Sequence, residues 1–567
     1  MCKKVPEDFS TQVYANIAVN QIAYGVGDKK IAIIRDADKG EAYLCKADGE
    51  VVFSAPLSAP KYDVTNRVYV RHFDFSSVDA EGEYVIKIKE GVSYPFAISK
   101  KPLQDVTKAM IKALYFQRCG MALEEKYAGP YTHGACHNLP AYLLTDKSVV
   151  VDDVSGGWHD AGDYGKYITP ANQTVFNMMC AYEFFPDGCD FSLNIPESGN
   201  GVPDILNECR YELEWMLKMQ NKEGGVYHKV TTENFAGNDM PDVDTEKWEI
   251  QALSPVAIPA TAGFAAALSQ ASIVYAPFDK AFADKCLQAA IRAFDYAYAN
   301  YPDHKEFQNV PPCNTGGYGD GCCLDEVYWG AASLFRATGD KKYEEIFREF
   351  FDMKFSKSAF GAYNQGGHGS FIYCLCENAD YELKSRVLDT IIKDADKGLV
   401  IYERNAYRLC LNDGANTHEN EYYWGSNAVL TNKLANMISV AYLTKTDKYD
   451  ECIRESIHYI MGRNYISRCY VTGFGTNSVK NPHHRPSMFD GVDECVPGLV
   501  AGGPNDRKWQ RPSLIQGVRQ TEGIDWDNMP AAGCFVDWEW NWTTNEVTIY
   551  WNSSCFYVTS YLNSKNK

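Results

Sequence analysis

Residues 260–299 read ATAGFAAALSQASIVYAPFDKAFADKCLQAAIRAFDYAYA. Helical apolar spacing runs from Ala260 to Tyr275 and resumes from Asp279 to Ala299, so the stretch reads as two consecutive helices. The same spacing recurs over Val106 to Gln117, Thr174 to Glu183, Pro203 to Met219, Asp325 to Thr338, Lys342 to Phe355, Ala428 to Thr444, Lys448 to Met461 and Glu546 to Leu562. Paired helices joined by long Gly-, Asn- and Pro-rich linkers over about 450 residues predict helical hairpins arranged in a ring, with the loops building a site at one end. Residues 1–98 have a different texture. Short β-branched and aromatic runs, Tyr14 to Val19, Lys30 to Arg35, Glu41 to Cys45, Val68 to Phe73, Tyr84 to Lys89 and Ser93 to Ile98, are separated by Gly, Asp, Pro and Lys and predict a small β-sandwich.

Composition narrows the function. The 567 residues are 45% hydrophobic and 13% aromatic, with 38 Tyr and 11 Trp, far too apolar for disorder. Aromatic excess of this kind suits stacking on sugar rings, although core packing explains most of it. The net charge of -19 argues against nucleic acid or an anionic membrane as partner, since either needs a basic face. No run of 18 apolar residues is present, so no membrane span is expected. The 19 cysteines are odd in number and scattered, as expected of reduced thiols in a cytoplasm; the alternative is a secreted or lipid-anchored protein, which the opening Met1-Cys2 would allow.

The chemistry is carried by acids in an unusual setting. Gly156-Gly157-Trp158-His159-Asp160-Ala161-Gly162-Asp163-Tyr164 places two carboxylates on one Gly-containing loop, and Asp537 and Asn545-Glu546 lie far away near the C-terminus. Two carboxylates and a distant third are what acid/base hydrolysis of a sugar linkage needs. Because 74 residues are Asp or Glu, spacing alone is weak; the Gly and Trp neighbours separate these acids from an ordinary charged surface run.

Three motifs carry a family resemblance. Gly475-x-Asn477-x4-Pro482-His483-x-Arg485 and Phe535-x-Asp537-x4-Trp542-x3-Glu546-x-Thr548-x3-Asn552-Ser553 resemble the two signatures of glycoside hydrolase family 9, the family E cellulases. The loop from Gly156 to Tyr167 resembles that family's Gly-Gly-Trp-x-Asp-Ala-Gly-Asp element, and residues 1–98 resemble the immunoglobulin-like module that precedes many of its catalytic domains. The resemblance covers nearly the whole chain. It implies a mainly α protein with an (α/α)6 barrel over 99–567 behind an immunoglobulin-like β-sandwich over 1–98, and inverting hydrolysis of β-1,4-linked oligo- or polysaccharides.

Carried over by motif, Asp163 is the expected base and Asp160 its partner, sharing or orienting the attacking water. Glu546 is the expected general acid. Its aromatic neighbours Trp540, Trp542, Tyr550 and Trp551 suit a raised pKa, and the apolar spacing downstream has Glu546 opening the last helix, where a first-turn Glu favouring the helix dipole is the bland alternative. Asp537 is expected to support catalysis, and His483 and Arg485 to hydrogen-bond sugar hydroxyls from a loop that prolines keep from being helical. His484, Tyr422, Trp424, Asn427 and Trp158 are further candidates for the cleft.

Cys119, Cys136, His137 and His159 are two thiolates and two imidazoles, a common closed set for zinc, though gaps of 17 and 22 residues do not match a compact finger. The resemblance implies a structural zinc there, bracing the loop before Asp160. Calcium is doubtful: Asp325-Glu326 resembles a family calcium element, but Asn364-Gln365 stands where another acidic ligand is expected. Two other functions compete, an exo-β-glucosaminidase on the same scaffold and a carbohydrate-binding protein without activity. The second gives no chemical reason to keep Asp160, Asp163 and Glu546 together.

Overall fold

The computed structural model describes residues 5–565 apart from 7, 413, 415–419 and 508–527; Met1-Cys2 lies outside the described residues. Two rings of helices form the body. Ile168–Phe184, Ile258–Val274, Leu324–Thr338, Gly366–Leu375, Ser426–Thr444 and Ile549–Lys565 pack each against the next, and the last closes onto the first. These inner helices are buried almost all round, as in the quoted stretch, where every residue from Pro259 to Ala271 is inaccessible. Gln104–Phe116, Asp204–Lys218, Lys280–Asn300, Lys341–Phe351, Tyr381–Arg404 and Asp450–Ile460 form the outer ring, each bearing one apolar stripe inward and charge outward. This is the expected (α/α)6 barrel.

Two of these helices escaped the sequence reading. Gly366–Leu375 opens on Gly-Gly-His-Gly, a loop-like composition that the barrel overrides because its small residues let it approach Tyr328 and Trp329. Tyr381–Arg404 is so charged that its stripe of Leu383, Val387, Ile391, Ala395 and Tyr402 is thin. The last helix starts at Ile549, so Glu546 does not open it; Glu546 instead follows the short Trp542–Asn545 helix in an extended conformation. A small sheet of Lys166–Tyr167, Lys229–Thr231, Gln251–Leu253, Ala141–Leu143 and Asp146–Val151 also replaces what read as loop.

The N-terminal strands form two sheets. One orders Ile17–Ala18, Ile31–Arg35, Val68–Asp74 and Lys61–Asp63; the other orders Ala23–Gly25, Phe96–Ser99, Gly82–Ile88, Glu41–Lys46 and Val51–Pro56. Ile17, Tyr24, Ile34, Leu44, Phe73, Ile86 and Phe96 fill the space between them. The sandwich docks on the barrel through polar contacts. Asn20 Nδ2 meets His458 Nδ1 at 2.8 Å, and Gln21 donates to Ser467 O at 2.6 Å while accepting from Asn477 N–H at 2.8 Å. Asn477 of the first signature therefore secures the sandwich to the barrel.

Candidate active site

The loop bearing Asp160 and Asp163 is pinned from beneath. Trp158 is fully buried; its backbone N–H donates to Glu212 at 2.5 Å and its indole to Glu208 at 2.8 Å. Lys166 Nζ donates to Val154 O and Gly156 O, both at 2.8 Å. Gly162 is required where it stands, since a Cβ there would lie 1.8 Å from His483 O. That close approach presses the loop onto the Pro482–Arg485 segment, so two motifs more than 300 residues apart share one backbone contact, Arg485 N–H to Gly162 O at 3.0 Å.

Asp160, Asp163 and Glu546 line one cavity of about 310 Å³, together with Tyr167, Phe235, Tyr318, Tyr363, Trp424, Tyr550 and Trp551. Asp160 accepts from the Tyr318 hydroxyl at 2.5 Å, and its other oxygen is buried without a partner. Burial above all, and then the charge of Asp163, raises its pKa well above the carboxylate range. Asp163 accepts from Gly165 N–H at 3.0 Å. Burial raises its pKa too, but the Arg485 guanidinium, that N–H and Lys229 counter the rise, so Asp163 is the better supported anion of the pair. Glu546 accepts from the Trp424 indole N–H at 2.7 Å. Burial first, then Asp163 and Asp160, push its pKa well up, which favours the protonated form an acid catalyst needs.

The first signature packs alongside, tied to the second by backbone bonds. His483 N–H donates to Asn545 O at 2.9 Å, pairing its backbone with that of Glu546, while the imidazole lies edge-on to Trp540 with ring centroids 6.3 Å apart, outside the cavity lining. Its Nδ1 lies 2.6 Å from the Glu539 carbonyl, which can only accept, so Nδ1 carries the hydrogen and Nε2 a lone pair. Burial lowers its pKa to about 4, leaving the ring neutral. Arg485 donates from Nε to the carbonyls of Ala236 and Gly237 and from Nη1 to that of Gly162, so it holds the Asp163 loop and the Phe235 wall together. Pro486 does not keep this segment from being helical: it sits at the first turn of the Arg485–Phe489 helix, where no N–H is needed, with His484 as the cap.

Five expected contacts fall elsewhere. Trp158 supports the loop from within the core rather than facing a ligand. His484 is fully buried between Ser487 and Gln117, at 2.9 Å from each. Tyr422 is buried outside the cavity lining. Asp537 lies outside that lining too; it accepts from Asn481 N–H at 3.0 Å, Lys480 N–H at 3.1 Å, Arg468 at 3.1 Å and Asn545 Nδ2 at 3.2 Å. It thus fixes the turn before His483 and the residue before Glu546. Asn427 is likewise buried, donating to Ala501 O at 2.8 Å. Tyr318, Tyr363, Tyr167 and Phe235 went unnoticed, because single aromatics in Gly-rich loops carry no periodic or motif signal.

Cys119, Cys136, His137 and His159 converge. Their ligand atoms lie within 4.8 Å of one another and all four residues are buried. His137 Nδ1 is buried with no partner, while its Nε2 lies 3.4 Å from Asp244, an arrangement in which a carboxylate orients an imidazole for a metal. The donor set therefore fits a metal ion. It braces the loop directly: His159 precedes Asp160, and its N–H donates to Gln117 O at 2.7 Å. The acids suggested for calcium do not converge in this way. Asp325 accepts from Gln365 N–H at 2.6 Å, and both oxygens of buried Glu326 lack partners, its pKa raised by burial and by Asp325 and Asp320. Among the described residues, the Cys/His set is the one group of three or more such side chains whose donors come together.

The sequence pattern of glycosyl hydrolase family 9 matches residues 104–559, and that of the cellulase N-terminal ig-like domain matches residues 12–93. The chain belongs to glycosyl hydrolase family 9. This family 9 protein is a glycoside hydrolase, with the β-sandwich and barrel seen above. It is 31% identical over 563 residues to a cellodextrinase of Butyrivibrio fibrisolvens, covering 96% of this chain and 99% of that one. It is 32% identical to endoglucanase D of Acetivibrio thermocellus over 98% of this chain and 84% of the other. A thermostable endoglucanase from Alicyclobacillus acidocaldarius superposes with a TM-score of 0.87 at 30% identity, covering 97% of this chain and all of its own.

Proposed function

We propose that this family 9 hydrolase cleaves β-1,4-glucosidic linkages of soluble cellodextrins with inversion at the anomeric carbon. The observation that carries the reading is that Asp160, Asp163 and Glu546 line one cavity among aromatic rings. Tyr318, Tyr363, Trp424 and Tyr550 offer faces for pyranose rings, and the compact cavity suits short chains. Asp163 is the base: it takes a proton from a water as that water attacks C1. Asp160, held by the Tyr318 hydroxyl, orients the same water. Glu546 gives its proton to the leaving oxygen as the C1–O bond breaks, and the water adds from the opposite face. His483 Nε2, as an acceptor, receives a sugar hydroxyl.

Cellohexaose tests the reading. Stepwise appearance of glucose or cellobiose is expected; a mixture of cellobiose, cellotriose and cellotetraose from the start would indicate attack within the chain. No turnover of cellodextrins alongside hydrolysis of glucosamine oligomers would sink it.

The metal at Cys119, Cys136, His137 and His159 is zinc in this reading, supported by the two-thiolate, two-imidazole donor set. Bound there, zinc supplies a structural cross-link, and no chemical step runs through it. Metal analysis of the purified protein is expected to find near-stoichiometric zinc. Stripping it with a chelator should lower the melting temperature by about 5 °C or more and reduce activity, since the loop before Asp160 loses its brace. A zinc-free protein of unchanged melting temperature would rule the site out. We place the protein in the cytoplasm, a reading supported by the free state of the described cysteines.

A further inference from the structure

Trp424 is exposed for 39% of its surface, as expected of a ring that meets sugar, yet its N–H points to Glu546. The bond is built into the backbone. Asn427 N–H donates to Gly502 O at 3.0 Å, and Gly502 N–H donates to Glu546 O at 2.9 Å, so one residue ties the Trp424 segment to Glu546. Gly425 turns between them at φ +84°, against the Trp551 ring, where a Cβ would come within 2.9 Å. The Trp542 ring packs on Trp424 at 4.7 Å and holds its plane.

We propose that Trp424 is a positioning residue that decides which oxygen of Glu546 carries the catalytic proton. An indole N–H can only donate, and the carbonyl oxygen of a carboxylic acid accepts better than its hydroxyl oxygen, so the bond favours Oε2 as the unprotonated oxygen. The proton is thereby assigned to Oε1, which among the described residues has no partner. In the reaction the Oε1–H bond breaks, a new O–H bond forms on the leaving oxygen, and the charge left on the carboxylate is stabilised by the N–H it already holds. The groups facing Glu546 do not duplicate this. Asp160 and Asp163 are acids that disfavour its anion, the Tyr318 hydroxyl is bonded to Asp160, Tyr363 and Tyr550 line the cavity, and Arg485 acts through its charge, with Nε and Nη1 on carbonyls and no hydrogen bond to Glu546 among the described residues. This inference rests on Glu546 being the general acid.

The test is Trp424→Phe, which keeps an aromatic face and removes the N–H. On cellotetraose, whose leaving group needs a proton, kcat should fall roughly tenfold, the worth of one hydrogen bond to a charged group. The alkaline limb of the pH profile should move to higher pH, because the carboxylate has lost a donor. On 2,4-dinitrophenyl β-cellobioside, whose leaving group needs no proton, kcat should fall several-fold less than on cellotetraose. Equal losses on both substrates, or a rise in KM alone with an unmoved pH profile, would overturn the proposal and leave Trp424 as a sugar platform. Trp424→Leu should show the same selectivity between substrates and serves if the Phe protein is unstable. Glu546→Gln, run in parallel, separates the two failures: if it keeps full activity on cellotetraose the acid assignment is wrong, whereas if it loses activity and Trp424→Phe does not, only the role of Trp424 falls.

Discussion

Replacing Glu546 with Gln is expected to lower kcat on cellotetraose by about three orders of magnitude, the usual worth of a positioned general acid. Gln keeps the shape and can still accept the Trp424 N–H, so cellotetraose should bind with a dissociation constant close to that of the unaltered protein. What disappears is the proton. The pH profile checks the cause. Burial and the two aspartates raise the pKa of Glu546, so the unaltered enzyme keeps its acid form to higher pH than an ordinary Glu and loses activity as the pH rises through that raised value. The residual activity of Glu546→Gln should lack this alkaline limb. A variant that hydrolyses cellotetraose at near-normal rate, or one that keeps the limb, would show that another group donates the proton.

Asp163→Asn should cost at least as much, roughly three to four orders of magnitude in kcat, and here a dinitrophenyl leaving group should not help. The reason is positional: Asp160, the only other loop carboxylate in the cavity among the described residues, has one oxygen bonded to Tyr318 and the other buried, and its pKa is raised further than that of its neighbour. It is poorly placed to accept a proton from water. Asp160→Asn should therefore act differently, lowering kcat while leaving a working base. If Asp163→Asn were mild and Asp160→Asn severe, the two roles would have to be exchanged. A zinc-replete protein with an unchanged melting temperature would show that the loss is chemical and not structural.

The sequence and the structure agree best where a signal is local. The inner helix Ile258–Val274 has an apolar run that no surface helix would carry, so its burial could be read directly. The loop carboxylates stood out because Gly and Trp surround them. Tyr381–Arg404 was missed because outer helices need only a thin stripe, and Gly366–Leu375 because its glycines serve close packing against Trp329 rather than a turn. In the site, residue type misled where an aromatic or His served the scaffold: Trp158 and His484 have ligand-binding chemistry, but their partners are Glu208, Glu212, Ser487 and Gln117. Tyr318 was invisible for the opposite reason. Its hydroxyl reaches Asp160 across 158 positions of chain, a relation that only the closed ring creates.

The four-residue metal set lies between these extremes. Its residue types were suggestive and its spacing was not, because the ligands come from three segments, at Cys119, Cys136-His137 and His159, that meet only when the Gly156–Tyr167 element folds back onto Gln117. One outer contact, Asp244 to His137, could not be read from the sequence at all. It lies on the same stretch as Asp239, whose carbonyl accepts from the Tyr164 hydroxyl at 2.6 Å, so the metal loop and the carboxylate loop are braced by one segment.

The measurement that tests the central claim most directly is the anomeric configuration of the first product from cellohexaose, followed by proton NMR before mutarotation. With Asp163 activating a water opposite Glu546, the new reducing end must appear as the α-anomer and drift to the equilibrium mixture. A β-anomer at the earliest time would mean that a carboxylate attacks the sugar itself, contradicting the assignment of Asp163 as a base.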